Sequence, residues 1–181
     1  MGTALVTGAT SGIGEEFCWQ LAAAGHDLVL VARSEDALRA LADSLANVAG
    51  VRAEVIAADL STDSGCARVA TRLDVGGPAD REKTDLAPVD LLVNNAGFGL
   101  GTEFLDNSLE SEINGLNVMV RAVMTLAHHA GISMRSRGRG AILNVGSVAS
   151  RTGAGTYSAH KAWVVAFTES LAAELKGSGI T

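Results

Sequence analysis

Eight residues near the N-terminus, Thr7-Gly8-Ala-Thr-Ser-Gly12-Ile-Gly14, restrict the possible folds more than any other part of the chain. A short apolar run over 3–6 precedes them. The residues that follow have helical spacing, with Ile13, Phe17, Leu21 and Ala24 on one face and Gly25 as the stop. Strand, glycine-rich turn and helix in that order form a phosphate cradle. Gly8 permits the tight turn, while Gly12 and Gly14 let the backbone approach a pyrophosphate at the helix N-terminus. The free N–H groups and the helix dipole there attract anions. The spacing is Gly-x-x-x-Gly-x-Gly rather than Gly-x-Gly-x-x-Gly.

The unit then repeats with variations. Residues 27–32 contain an unbroken apolar run, as expected of a parallel strand buried on both faces. Arg33-Ser34 follows where an acidic residue would hold a ribose 2′-hydroxyl, so a guanidinium and a hydroxyl are available for a 2′-phosphate instead. Glu35 and Asp36 read as first-turn residues that complement the next helix dipole. Leu38, Leu41, Ala42 and Leu45 form the stripe of that helix, which closes near Gly50. A third strand over 51–58 ends at Asp59-Leu60, and a helix over 62–73 follows. Residues 74–88 mix Gly, Pro and charges and read as an exposed loop.

A fourth strand over 89–93 delivers Asn94-Asn95-Ala96-Gly97, two amides able to tie strand ends beside two small residues. The spacing then predicts a helix over 108–130, with Ile113, Leu116, Val120, Val123 and Met124 on its buried side. Asn117 interrupts that stripe, as a structurally satisfied amide or as the holder of a water. Gly115 beside it implies close packing or a kink. His128 and His129 read as the close of this helix, as surface residues and not metal ligands. Arg135, Arg137 and Arg139 read as a solvated turn before a fifth strand over 141–145.

That strand leads to Asn144-Val-Gly-Ser147 and then to Tyr157-Ser-Ala-His-Lys161. Tyr157 is the only tyrosine. Helical spacing from Thr156 onward (Ala162, Trp163, Ala166, Phe167, Leu171) places Tyr157 and Lys161 on one face. An ammonium beside a phenol favours the phenolate, which allows proton exchange near neutral pH. Ser147 can hydrogen-bond the oxygen of a carbonyl or alcohol.

With 181 residues there is room for one sizeable core, read as a single domain over 1–181. Aromatics are only 4%, so small and branched aliphatics must fill the interior. A net charge of −6 argues against a nucleic-acid partner. Cys18 and Cys66 read as reduced core thiols without metal-ligand spacing. No apolar run approaches the roughly 18 residues of a membrane helix. A soluble, cytoplasmic protein without a membrane partner or metal is expected.

Taken in order, the glycine turn, Arg33, Asp59, Asn-Asn-Ala-Gly, Asn117, Ser147 and Tyr157/Lys161 closely resemble the motifs of the short-chain dehydrogenase/reductase family across essentially the whole chain. The resemblance implies a Rossmann-like, doubly wound parallel α/β sheet and a catalytic tetrad of Asn117, Ser147, Tyr157 and Lys161. Tyr157 would be the acid/base, and Ser147 would polarise the substrate oxygen. Lys161 would hold the nicotinamide ribose, and Asn117 would anchor a water. The cofactor would lie on Gly8, Thr10, Ser11, Gly12, Ile13, Gly14, Arg33, Ser34, Asp59, Leu60, Asn95, Ala96 and Gly97, together with Tyr157 and Lys161. NADP(H) is expected over NAD(H). The implied function is NADP(H)-dependent interconversion of a small-molecule carbonyl and an alcohol; the alternative is an NADP(H)-binding protein without turnover. Family members associate as dimers or tetramers through the helices carrying Asn117 and Tyr157.

Two departures stand out. The segment from Ser147 to Tyr157 is a few residues short. The sequence also ends at Gly179-Ile180-Thr181, where a sixth strand would start, so the fold is read as truncated after the fifth strand and its helix. The outer edge of strand five is expected to be unpaired.

Overall fold

The computed structural model of the chain describes residues 2–80, 86–101, 103–153 and 155–181. Residues 81–85, within the segment read as an exposed loop, lie outside the described residues. Five parallel strands, β1 (Thr3–Thr7), β2 (Asp27–Ala32), β3 (Ala53–Ala57), β4 (Val89–Asn94) and β5 (Ala141–Asn144), form one sheet in the order β3-β2-β1-β4-β5. The chain thus winds outward from β1 in one direction, then returns to its other side at β4. That reversal opens a crevice above the strand C-termini, between β1 and β4.

Burial on both faces explains why the strands read as continuous apolar runs. Ala4, Val6, Leu28, Leu30 and Val93 face Cys18 and Ala22 of helix α1 (Gly12–Ala23) and Leu38, Leu41 and Leu45 of α2 (Glu35–Ala49). Leu5, Val29, Val31 and Leu92 face the opposite layer. There they meet Val69 and Leu73 of α3 (Asp63–Leu73), Leu126 and Met134 of α5 (Ala122–Arg137), and the end of α6 (Gly155–Glu174), where Leu171 packs against the cluster. Alternate residues of each strand thus serve alternate layers. Both cysteines are free and buried, and burial pushes the Cys18 thiol up to about 12.

Helix ends follow local chemistry. Ser34 caps α2 by accepting the Ala37 N–H, Glu35 and Asp36 occupy its first turn, and Gly50 ends it in the left-handed conformation. Thr62 and Ser108 cap α3 and α4 (Leu109–Leu116) in the same way.

Several sequence expectations require correction. The innermost residues of α1 are Gly14, Cys18 and Ala22; of the expected row, Phe17 and Leu21 pack against the same cluster, while Ile13, 63% exposed, and Ala24 do not. Small residues there let the helix lie close to the sheet. The fourth predicted helix is longer than 108–130 and is interrupted. It runs through α4, a π-helical turn (Asn117–Arg121) and α5 to Arg137, where left-handed Gly138 stops it. Gly131 and two serines weaken the helical signal beyond residue 130, but buried Ala130, Ser133 and Met134 anchor the extra turns.

His128 and His129 therefore lie mid-helix, with His129 Nδ1 2.8 Å from Asp74 Oδ1. Arg137 is not solvated. It donates to Ser133 Oγ at 2.6 Å and to the Val89 carbonyl at 2.7 Å. Ile113, Leu116 and Met124 are each nearly half exposed, whereas Glu112, Gly115 and Met119 are buried, so the stripe is offset there from the one expected, while Val123 is buried as expected. The outer edge of β5 is partly paired. Ile180 bridges Gly140 in parallel, Thr181 N–H donates to Gly140 O at 3.1 Å, and Ile142 N–H donates to Thr181 O at 2.9 Å. Among the described residues no helix is long and apolar enough to cross a membrane, and no cluster of metal-ligating side chains occurs.

Candidate active site

The strand ends are held together by side chains. Thr7 Oγ1 accepts the N–H groups of Asn95 and Ala96 at 3.0 Å each and donates to Val93 O at 3.3 Å. Asn95 Nδ2 donates to Thr7 O at 3.0 Å, and Asn94 Nδ2 to Asn144 Oδ1 at 2.9 Å. Asn144 Nδ2 continues to Thr168 Oγ1 of α6 at 2.9 Å. The amides of the Asn-Asn-Ala-Gly segment thus join β1, β4, β5 and α6 into one floor.

Over that floor lies a cleft of about 490 Å³ lined by Gly8, Thr10, Ser11, Arg33, Ser34, Asp59, Leu60, Ala96 and Gly97, all singled out from the sequence. Gly12, Ile13, Gly14, Asn95, Tyr157 and Lys161 are not among its lining residues. Gly12 has φ +53 and no heavy atom within 4 Å of a would-be Cβ, so the turn is bare on its outer side. Gly14 has the opposite environment. A Cβ there would stand 2.1 Å from Gly8 O and 2.4 Å from Asn95 Nδ2, so this glycine also lets α1 seat on the turn.

Arg33 is exposed and makes no ion pair among the described residues, while the nearby Glu35 is engaged with Arg39. Ser34 spends its hydroxyl oxygen as the α2 cap. The Ser61 backbone N–H and hydroxyl hold the Asp59 carboxyl below the ordinary aspartate value, with the Arg33 charge adding a smaller push.

The second group of residues comes from β5 and α6. Ser147 accepts the Ala149 N–H at 3.1 Å and caps a short 3-10 helix (Val148–Arg151), which leaves its own proton free to be donated. Lys161 is 5% exposed, and its ammonium donates to the Val145 carbonyl at 2.7 Å, two residues before Ser147. Burial pushes the Lys161 pKa below the ordinary lysine value. Its Nζ lies 6.0 Å from the centre of the Tyr157 ring. A Cβ on Gly97 would be 3.7 Å from the same Nζ, so Lys161 reaches the rim of the cleft. Asn117 is half-buried at the first position of the π turn, and its side-chain amide has no partner among the described residues. Its carbonyl accepts the Ala122 N–H, five residues on. Leu100 packs at 3.2 Å from where a Gly115 Cβ would be, consistent with the close packing expected there.

The structure adds Val31, Ala32, Ala58, Phe98, Asn114 and Val118 to the cleft. Val31, Ala32 and Ala58 immediately precede Arg33 and Asp59, so strand-end position alone could have found them. Asn114 and Val118 needed the helix orientation.

A model of the family described as short chain dehydrogenase matches residues 2–181. A short chain dehydrogenase of Pseudocercospora fijiensis is 34% identical over 98% of this chain and 56% of its own length. A short-chain dehydrogenase from Sphingobium yanoikuyae, solved in complex with NADPH, superposes with a TM-score of 0.90 at 36% identity, covering 99% of this chain and 68% of that one. The bulky-bulky ketone specific alcohol dehydrogenase from Comamonas testosteroni gives 0.90 at 35% identity, covering 99% and 70%. The chain spans between 52% and 70% of the length of the curated relatives it matches.

Proposed function

We propose, because this chain belongs to the short-chain dehydrogenase family, that it is an NADP(H)-dependent oxidoreductase interconverting a small-molecule carbonyl and an alcohol. The observation that carries the reading is the buried Lys161 ammonium, fixed by the Val145 carbonyl between Tyr157 and the cleft. A surface lysine on an ordinary helix would not occupy that place.

The residues present fit a nicotinamide dinucleotide. The bare outer side of Gly12 leaves room for a pyrophosphate at the N-terminus of α1. The exposed Arg33 guanidinium, without an ion pair among the described residues, suits a 2′-phosphate, and Asp59 and Leu60, which line the cleft, would border the adenine end. Ala96 and Gly97 form the wall leading to Lys161, and Asn95 ties that wall to the end of β1. Bound there, the cofactor supplies or accepts the hydride. The remaining steps belong to the protein. On reduction, Tyr157 Oη donates its proton to the carbonyl oxygen, so the substrate gains a hydride and a proton in total. Ser147 Oγ–H donates a second hydrogen bond to that oxygen and stabilises its developing negative charge. Lys161 stabilises the charge left on Tyr157 and holds the nicotinamide ribose. Asn117, whose amide has no partner among the described residues, holds a water that returns a proton to Tyr157. On alcohol oxidation the proton runs the other way.

Leu109, Ile113 and Leu116 on α4, with Met124 on α5, leave an apolar row exposed. We read this row as the face through which copies associate.

The test compares the parent chain with Tyr157→Phe and Lys161→Ala in NADPH titrations and in turnover of a ketone and aldehyde panel. Tyr157→Phe is expected to abolish turnover with NADPH affinity nearly intact, and Lys161→Ala to weaken both. Turnover of Tyr157→Phe near the parent rate refutes the assignment. NADPH binding by the parent chain with no turnover of any compound in the panel supports a binding role instead.

A further inference from the structure

Tyr157 stands in the first turn of α6, reached through Gly153 and Gly155, the latter with φ +69. A helix entered through glycines has a loose first turn. A proton donor must nonetheless be placed to within a fraction of an ångström. Something therefore has to hold the backbone on either side of Tyr157.

On one side Ser158 Oγ lies 3.1 Å from Thr152 Oγ1, at the end of the 3-10 helix that Ser147 caps. On the other side, Thr156 Oγ1 donates to Glu112 Oε2 at 2.5 Å, reaching from α6 to α4. Glu112 is only 7% exposed, and its other oxygen accepts from Asn107 Nδ2 at 2.9 Å. Asn107 in turn accepts the Ser108 N–H at 3.1 Å, at the start of α4.

A buried carboxylate costs free energy that an apolar pair would not. What it offers is two acceptor oxygens, which hold two donors from two elements at once. His160, also buried and one helical turn beyond Thr156, leaves its Nδ1 without a partner among the described residues, so the grip on the first turn of α6 from this side falls to Glu112.

We propose that Glu112, acting through Thr156, is the positioning residue for Tyr157, an inference that rests on Tyr157 being the proton donor. The Glu112–Thr156 contact fixes the first turn of α6 against α4, and with it the direction of the phenol. Glu112 touches neither substrate nor cofactor in this role. Misplacement of a reacting group by about 1 Å costs on the order of 10²-fold in rate, so a partial loosening should lower kcat by about 10-fold.

The single tyrosine makes the test direct, because protein labelled with 13C at tyrosine Cζ gives one resonance, that of Tyr157. The variants are Thr156→Val, which keeps the shape and removes the hydroxyl, Glu112→Leu, and the two combined. Thr156→Ser and Glu112→Gln serve as rescues. In Glu112→Gln the amide oxygen can accept from Asn107 while its N–H donates to the Thr156 hydroxyl. Expected are a lowered kcat with unchanged NADPH affinity and a shifted or broadened tyrosine resonance in each loss variant. The double variant should match either single, since both cut one connection, and the rescues should return the parent values. Parent-like resonance and kcat in Thr156→Val, or additive losses in the double variant, overturn the proposal. Tyr157→Phe run alongside separates the two readings. If it still turns over, the acid/base assignment fails, while the resonance of the loss variants still reports whether Glu112 holds Tyr157. The resonance also decides the matter if the parent shows no turnover.

Discussion

Replacing Gly14 by alanine should damage the protein more than the same change at Gly12, although only Ile13 separates the two glycines in the motif. At Gly14 the new methyl would sit 2.1 Å from Gly8 O and 2.4 Å from Asn95 Nδ2. That is about 1 Å or more inside ordinary contact. Neither neighbour can yield freely, since Asn95 Nδ2 is already bound to Thr7 O at 3.0 Å. Overpacking costs about 1–3 kcal/mol. Displacing the Asn95 side chain loses about 1 kcal/mol for each of its hydrogen bonds to Thr7 O and Gly8 O, and the alanine returns about 1 kcal/mol of helix propensity. The net is about 3 kcal/mol, or about 6–12 °C in Tm for a chain of this size. At Gly12 nothing lies within 4 Å, and only the φ of +53 is unfavourable. That change costs about 1–2 kcal/mol and about 2–8 °C. Gly12→Ala should instead weaken NADPH binding, because its methyl points to where a pyrophosphate would lie. Thermal unfolding followed by circular dichroism, with a parallel NADPH titration, separates the two. The reasoning fails if Gly14→Ala melts within about 2 °C of the parent, or if Gly12→Ala melts lower than Gly14→Ala.

Two further outcomes are expected. The parent should bind NADPH more tightly than NADH, and Arg33→Asp should narrow or reverse the preference by about 10-fold or more, as a charge-assisted contact is replaced by repulsion; equal affinities of the parent for both cofactors would count against Arg33. Burial pushes the His160 pKa below its ordinary value, with Glu112 partly opposing; the unfolded chain therefore takes up this proton first, and stability falls as pH drops through about 6.5 towards the native value. Urea unfolding at pH 7.5 and 5.5 should show a smaller acid loss in His160→Gln than in the parent, and equal losses would refute it.

The sheet could be read from the sequence because its strands are buried on both faces, so each appears as an unbroken apolar run. The cleft could be read because its residues follow those runs directly. Where the sequence misled, small or polar residues did structural work. The innermost residues of α1 are Gly14, Cys18 and Ala22, and the bulkier but exposed Ile13 beside them drew attention from these small residues, although Phe17 and Leu21 of the same row do pack against the core. Gly131 and Ser133 concealed the last two turns of α5, which burial against the sheet supports. Arg137 looked like a surface charge because nothing local reveals that the Val89 carbonyl and Ser133 wait for it. Glu112 was passed over for the same reason. Its partners Asn107 and Thr156 are 5 and 44 residues away, and only the packing of α6 on α4 brings the more distant one into reach.

The two tryptophans fall on opposite sides of the sheet. Trp19 packs with the α1 and α2 layer, whereas Trp163 lies on α6, stacked on Phe167 at 4.8 Å between ring centres. Each layer thus carries its own fluorophore, and replacing either one by phenylalanine leaves the emission of a single layer. Excitation of Tyr157, six residues before Trp163 on the same helix, has a nearby acceptor in that indole. Light absorbed by Tyr157 would then be re-emitted from the α6 layer, which lets the helix bearing Tyr157 and Lys161 be followed separately from the glycine turn on the far side.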